Sequence, residues 1–324
     1  MLINMFDTAM ESDNLGDQFI MDAVWQEVGD LMPDARFIRT PTHRRATLAE
    51  LQAGRKADLS IVGGTNILKA HMLVRGNWKI TPLDYLCWRN VVLMGVGWQQ
   101  YGRGGADAAT RLFFRRVLSR TGLHSVRDMH TFDNLRDHVP NLVYTACPTM
   151  WRLDEAHCQT IPVRTAQSVV FAVTYYRPAP EQDRALFDLL KRHYRTVYVW
   201  PQQEEDLPYL AQIGASGFVP IAPDVAAYDR LLAQEDVDFV GARLHGGIRA
   251  LQHRRRALVI PVDNRATEIS ATTGLPVASR MEIDAIDQWI QHARPLALNL
   301  PWDGIDRWKS QFRQASASRA TAAR

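Results

Sequence analysis

With 324 residues, the chain is longer than one ordinary domain and suits two. Hydrophobic residues make up 46% and charged residues 23%, the balance of a soluble globular protein with material for two cores. A net charge of +3 gives no case for nucleic acid, and the longest apolar runs, such as VVLMGVGW (91–98), are far too short to span a bilayer.

The stretch MLINMFDTAM has no basic segment followed by an apolar one, so it does not read as a signal peptide, and the cytoplasm is the expected location. Three cysteines, Cys87, Cys147 and Cys158, cannot form a paired framework and show no metal spacing; a buried thiol before Pro148 is the plainer reading of Cys147 than a nucleophile. The only lysines are Lys56, Lys69, Lys79, Lys191 and Lys309, so an anion site here is built from guanidinium forks.

In chain order, MLINMFD (1–7) reads as a strand and LGDQFIMDAVWQEVGDLM (15–32) as a helix. ADLSIVGGTNIL (57–68) and NVVLMGVGW (90–98) are buried strands running into glycine turns. DAATRLFFRRVLSR (107–120) is helical, with Leu112, Phe113, Val117 and Leu118 as its core face and arginines in solvent. GLHSVRDMHTFDNLRDHV (122–139) is a short strand and a helix. Residues 151–167 mix proline with polar groups and read as a linker. The alternation restarts with strands in 168–176, 196–202, 217–223, 237–242 and 256–263. Helices are expected in 181–194, 204–214, 224–235, 246–254 and 282–294, and the last ten residues as a frayed tail.

Such alternation predicts an α/β chain of two Rossmann-like domains, 1–155 and 156–300, facing a central cleft, with 301–324 a C-terminal segment. In parallel sheets ligands bind beyond the carboxyl ends of the strands, so side chains there carry the functional interest.

Asn14 and Asp17 flank Gly16 before the first helix. Asp17 is either a helix cap or a group that meets a sugar hydroxyl and takes its proton. VGGTNIL (62–68) and MGVGW (94–98) lack the complete GxGxxG and GxxxxGK[ST] fingerprints, so neither a nicotinamide site nor a P-loop is expected. Arg127, after the strand in SVRD (125–128), suits a carboxylate or phosphate, with Asp128 as a helix cap or as its partner in a surface ion pair. Arg177 stands at a similar place in VTYYRPAP, where an anion contact and a solvated loop arginine are both open. In DFVGARLHGGIRALQ (238–252) a buried strand gives way to Arg243 and His245 at the start of a helix. Free helix N–H groups, a guanidinium and an imidazole together make an anion site with a proton donor, with Gly246 and Gly247 allowing close approach of a ligand. In VDNRATEIS (262–270), Asp263, Arg265 and Glu268 fix the loop or meet a second ligand.

These pieces, NLGDQFI (14–20), IVGGTNIL (61–68), SVRDMHT (125–131), CPTMW (147–151), GARLHGGIRALQ (241–252) and RALVIPVDNRATEI (256–269), resemble the polysaccharide pyruvyltransferase family. The resemblance spans residues 1 to about 295, and its specific part is the RLH element combined with VRD. It implies a GT-B-like fold, phosphoenolpyruvate as donor and a saccharide acceptor that can be lipid-linked. The product is a pyruvate ketal bridging two hydroxyls in cell-surface or exopolysaccharide synthesis. By motif, Arg127, Arg243, Leu244 and His245 belong to the donor pocket, with Arg177 added by position. The N-terminal domain is then the acceptor side and the C-terminal domain the donor side. Asn14, Asp17 and Glu268 are the acceptor candidates, His245 the candidate general acid and Asp17 the candidate base. Two arginines can neutralise carboxylate and phosphate, so neither a metal nor a separate cofactor is needed. Gln18, where the family has an acidic or small residue, and the bulky TYY before Arg177 depart from the pattern and bear on acceptor choice. Loops 99–106 and 174–182 are placed at the acceptor in the same reading. A lipid-linked acceptor brings peripheral contact with the inner membrane face. A nucleotide-sugar glycosyltransferase, with Arg243 on a diphosphate and Glu268 on a ribose, and a non-catalytic saccharide-binding protein are the rival readings.

Overall fold

The structure is a computed structural model that describes residues 1–99, 105–292 and 294–322; most of the 99–106 loop therefore lies outside the described residues. The chain divides into two compact units. Unit 1 holds Met1–Ser12, Ile20–Trp151 and the residues from Leu300, and unit 2 holds Asp13–Phe19 and Arg152–Asn299.

Unit 1 contains eight strands among its described residues. They are β1 (Leu2–Asp7), β2 (Arg36–Pro41), β3 (Leu59–Gly63), β4 (Asn66–Leu68), β5 (Val91–Met94), β6 (Gly97–Trp98), β7 (His124–Val126) and β8 (Leu142–Tyr144). A parallel sheet runs in the order β2-β1-β3-β5, and β4–β6 and β7–β8 form two further parallel pairs. β3 and β5 are buried at every position, as their continuous apolar runs require of a sheet covered on both faces. The half-exposed β2 sits at the edge, and its mixed sequence RFIRTP gives no strand signal.

An aromatic cluster fills this unit. Phe6 meets Trp78 and Trp88 edge-on at 5.0 and 4.7 Å, and Phe113 meets Trp78 at 5.4 Å. Phe113 comes from the helix Ala108–Val117, whose N-cap Asp107 accepts from the Thr110 backbone N–H at 2.7 Å. The expected core face is corrected by one position: Leu112 is 58% exposed, while Phe114 is buried beside Phe113, Val117 and Leu118. The tail also differs from expectation. Trp302–Ala322 is a helix, and its Trp308 is fully buried in unit 1, donating Nε1–H to the Leu93 carbonyl at 3.0 Å and packing on Trp151.

Unit 2 holds β9 (Ser168–Ala172), β10 (Thr196–Val199), β11 (Val219–Pro220), β12 (Val237–Gly241) and β13 (Ala257–Val259), all parallel, in the order β11-β10-β9-β12-β13. The strand order reverses between β9 and β12. Chain connections leave that point to opposite sides, which opens a crevice beyond the two carboxyl ends. Residues 13–19 count with this unit because Phe19 packs against Trp200 and Tyr228, with the Arg249 guanidinium over its ring at 5.3 Å. The expected linker 151–167 contains the short helix Glu155–Gln159, capped by Asp154. No helix among the described residues is long and apolar enough to cross a membrane.

Candidate functional site

The site is built at the carboxyl ends of β9 and β12, within unit 2. After Gly241 the chain turns at Ala242, and the helix Leu244–Gln252 begins. Arg243 is its N-cap residue, and its side chain makes no capping hydrogen bond. The positive end of the helix dipole lies at that turn, where it favours an anion. The glycine pair has a different job from the expected one. A Cβ on Gly246 would meet Trp200 and Phe239 at 3.2 and 3.3 Å, and one on Gly247 would meet Val259 at 2.7 Å. The glycines let the helix lie close on the sheet rather than admit a ligand.

Arg243 is 6% exposed and held along one edge. Its Nε donates to the Val173 carbonyl at 2.9 Å, which ties the end of β12 to the end of β9. Its Nη2 donates to Asp206 Oδ2 at 2.6 Å and Oδ1 at 2.9 Å, and to Gln203 Oε1 at 3.1 Å. Nη1 makes no hydrogen bond among the described residues. The Tyr176 ring lies 5.4 Å from the guanidinium carbon.

Asp206 organises this corner. It is fully buried, and besides Arg243 it accepts from the backbone N–H groups of Gln202 at 3.0 Å, Gln203 at 3.2 Å and Tyr175 at 3.2 Å. One carboxylate thus fixes the turn after β10, the turn after β9 and the arginine. Its full hydrogen bonding is what makes a buried charge tolerable.

A cavity of about 160 Å³ opens here. Arg243, Leu244 and His245 line it together with Asn14 and Gly16, and Tyr176, Gln202 and Arg265 complete the wall. His245 is 8% exposed and lies in the first turn of the helix. Gly16 lies beside it: a Cβ there would stand 3.6 Å from His245 Nδ1, an ordinary contact, and a tighter 3.1 Å from Asn14 Oδ1. Arg265 is held by Asp263 through contacts of 2.6–2.9 Å, so its charge is partly spent inside the wall.

The remaining sequence candidates fall elsewhere. Asp17 is not the cap: Asn14 precedes the helix Leu15–Leu31, its Oδ1 accepting from the Gly16 N–H at 3.0 Å, while Asp17 lies buried in the first turn outside the cavity lining. Glu268 is half-buried on the helix Asn264–Thr273, and Arg177 is exposed; neither lines the cavity. Arg127 belongs to unit 1 and is 1% exposed. The expected surface pair is a buried one: Arg127 Nε lies 3.3 Å from Asp128 Oδ2, and Asp128 also caps the helix Met129–Leu135 through the Thr131 N–H. Arg127 Nη2 is buried with no hydrogen-bond partner among the described residues.

Asp206 and Gln202 escaped the sequence reading. Asp206 follows two glutamates in PQQEED, where an acidic run reads as solvated surface, and nothing local ties it to an arginine 37 residues on. A second buried carboxylate, Asp238, lies on β12 and accepts from Tyr194 Oη at 2.8 Å, with Arg256 at 3.5 Å. Burial pushes its carboxyl up to about 6 against the opposing pull of Arg256 and Tyr194. Cys147 is fully buried, and burial pushes its thiol up, as expected of a structural buried cysteine. Among the described residues, no group of three or more His, Cys, Asp or Glu side chains is arranged to hold a metal ion.

Comparison with known proteins places this geometry in context. The solved UDP-GlcNAc 2-epimerase of Methanocaldococcus jannaschii aligns over 99% of this chain and 100% of its own, at 9% identity and a TM-score of 0.58. The enzyme of Neisseria meningitidis bound to UDP-GlcNAc covers 98% and 99% at 12% identity and a TM-score of 0.54. Staphylococcus aureus MnaA with UDP covers 91% of each chain at 12% identity and 0.51. At these identities the likeness shows the fold alone, an α/β fold of the GT-B class, as the resemblance implied. No curated protein matches the chain in sequence. The profile of the polysaccharide pyruvyl transferase family matches residues 14–264, from the Asn14 turn through the RLH helix to the end of β13 and beyond, and the chain belongs to that family of transferases.

Proposed function

We propose that this protein transfers the pyruvyl group of phosphoenolpyruvate to two hydroxyls of one saccharide, forming a cyclic ketal and releasing phosphate. The observation that carries the reading is the single small cavity shared by Arg243, His245, a helix start and Asn14. Its volume suits a three-carbon dianion better than a nucleotide, and its positive groups suit a carboxylate or a phosphate. The proton balance is simple. One acceptor hydroxyl proton is replaced by one delivered to the donor's methylene carbon, which becomes the methyl group; the other leaves on phosphate. His245 is the group that delivers a proton, and Arg243 Nη1 with the helix N–H groups holds the anion whose negative charge grows as the C–O bond breaks. Neither a metal nor a cofactor is needed in this scheme. For Arg127 the reading rests on the family motif and on a fact of unit 1 alone, its buried Nη2 with no partner. For Asn14 it rests on a place in the cavity wall, and for Asp17 as base, for Glu268 and for Arg177 on the motif reading without a place there. A cytoplasmic location with a lipid-linked acceptor at the inner membrane face completes the proposal.

Phosphate release from phosphoenolpyruvate in the presence of candidate glycans tests it. His245→Ala is expected to lower release by about 100-fold or more with the circular dichroism spectrum unchanged, and Arg243→Ala to abolish it together with a loss of stability, since Asp206 is left unpaired. Full activity in either variant removes that residue from the mechanism. Thermal stabilisation by UDP-sugars, with none by phosphoenolpyruvate, would favour a nucleotide-sugar transferase instead.

A further inference from the structure

Beside the small cavity lies a larger one, of about 550 Å³, also within unit 2. Gln202 and Gln203 line both. The larger cavity adds Tyr175 from the turn after β9, Asp13 from the segment before the first helix, and Glu204 and Glu205 from the turn after β10. Its size lies within the roughly 300–1,000 Å³ range of small-molecule sites.

An acidic rim alone says little, because Glu204, Glu205 and Asp13 are exposed and solvated. The informative group is Gln202. It is 5% exposed, and its Nε2 is buried with no hydrogen-bond partner among the described residues. A buried amide donor left without an acceptor costs stability unless a ligand or water supplies one. Its backbone cannot swing away, because the Gln202 N–H is held by Asp206, as is the Tyr175 N–H opposite it in the same corner. Gln202 thus stands on the wall common to the two cavities.

We propose that the larger cavity is a saccharide subsite selective for uncharged or amino-bearing sugars, and that Gln202 positions an acceptor hydroxyl at its border with the small cavity. This rests on the reading of the small cavity as the phosphoenolpyruvate site. Tyr175 offers an aromatic surface for the apolar face of a pyranose ring. Glu204, Glu205 and Asp13 accept from hydroxyls, and their charge repels a uronate or a ketal-bearing sugar. The product itself carries a new carboxylate, so the same repulsion favours its departure.

Binding without turnover separates this proposal from that of the donor. Methyl galactopyranoside and methyl glucopyranoside are the neutral probes and methyl glucuronide the acidic one, each titrated onto the full chain and followed by saturation-transfer NMR. Neutral glycosides are expected to bind at least tenfold more tightly than the glucuronide. Tyr175→Ala and Gln202→Leu are each expected to weaken neutral binding about tenfold. The double variant Glu204→Gln, Glu205→Gln, whose exposed positions leave folding untouched, is expected to remove most of the discrimination against glucuronide. Neutral binding unchanged in Tyr175→Ala and Gln202→Leu, or glucuronide bound as tightly as the neutral probes, overturns the proposal even if phosphate is released from phosphoenolpyruvate. Sugar binding with this pattern, and no phosphate release, leaves the subsite standing and removes the donor assignment.

Discussion

Asp206→Asn is the sharpest perturbation the structure offers. The carboxylate has two oxygens, and both are used. Oδ2 accepts from Arg243 Nη2 at 2.6 Å and from two backbone N–H groups, and Oδ1 accepts from Nη2 at 2.9 Å and from the Tyr175 N–H. Asparagine keeps one oxygen and turns the other into a donor that confronts donors. It removes the charge opposite a buried guanidinium and strands at least one buried N–H group. Loss of charge assistance is worth about 1–2 kcal/mol, and each stranded buried donor about 1–3 kcal/mol. The expected destabilisation is about 3 kcal/mol, near the lower end of the range for breaking a buried ion pair. Removing both partners should cost less than the sum, since Arg243→Met leaves no buried charge behind. The double variant is expected to show a coupling of about 2 kcal/mol. Urea unfolding of the intact chain measures this, with hydrogen exchange of the β12 amides assigning the loss to unit 2. A cost below about 0.5 kcal/mol for Asp206→Asn, or additivity of the two substitutions to within about 0.5 kcal/mol, would refute the view that this pair is the structural base of the site.

Three further outcomes follow from other parts of the chain. Asp238, lifted to about 6 by burial, binds its proton more tightly folded than unfolded, where a carboxyl titrates near about 4. Its contribution to stability is present below about pH 4 and is lost as pH rises through about 6, a change of about 3 kcal/mol; Asp238→Asn should flatten that part of a urea-midpoint curve. Glu50, held at about 2 chiefly by its hydrogen bonds from Arg44, acts in the opposite sense. So does Asp229, where Arg249 and His253 outweigh burial and hold the carboxyl at about 2. Both contribute stability above about pH 4 that is lost as pH falls toward 2, below the Asp238 window. Trp308→Ala should cost unit 1 about 3–5 kcal/mol, read as a lowered calorimetric transition; an unchanged transition would mean that the C-terminal helix is not part of its core. Native thiol titration should find Cys87 reactive and Cys147 and Cys158 protected, with all three reacting in denaturant; fast labelling of Cys147 in the native chain would contradict its burial.

What could be read in advance was governed by local signals. The buried runs of β3, β5, β9 and β12 announced themselves, and RLH at the end of β12 followed from a strand meeting a helix start. Strand order cannot be read that way, and it is strand order that puts the end of β9 beside the end of β12 and so gives Arg243 the Val173 carbonyl. Asp206 and Gln202 were hidden because their importance comes from a contact 37 residues distant and from an unpaired buried amide, neither of which leaves a pattern nearby. The glycine pair was visible but misassigned, because only the structure shows that Phe239, Trp200 and Val259 occupy the space. The C-terminal helix was missed for a related reason. Its last ten residues are small and polar and read as a frayed tail, while its earlier turns are anchored by the buried Ile305, Trp308 and Phe312.

That anchor has a consequence for synthesis. Domains made first usually fold first as the chain emerges. Here residues 20–151 leave the ribosome early, but the pocket formed by Trp151 and the Leu93 carbonyl waits for a side chain made more than 150 residues later. Unit 2, whose segments 13–19 and 152–299 are by then complete, can close ahead of it. A nascent chain stalled before residue 308 would carry a finished unit 2 and a unit 1 still open at its core, a state that pulse proteolysis of arrested chains would expose as a cut confined to the earlier-made half.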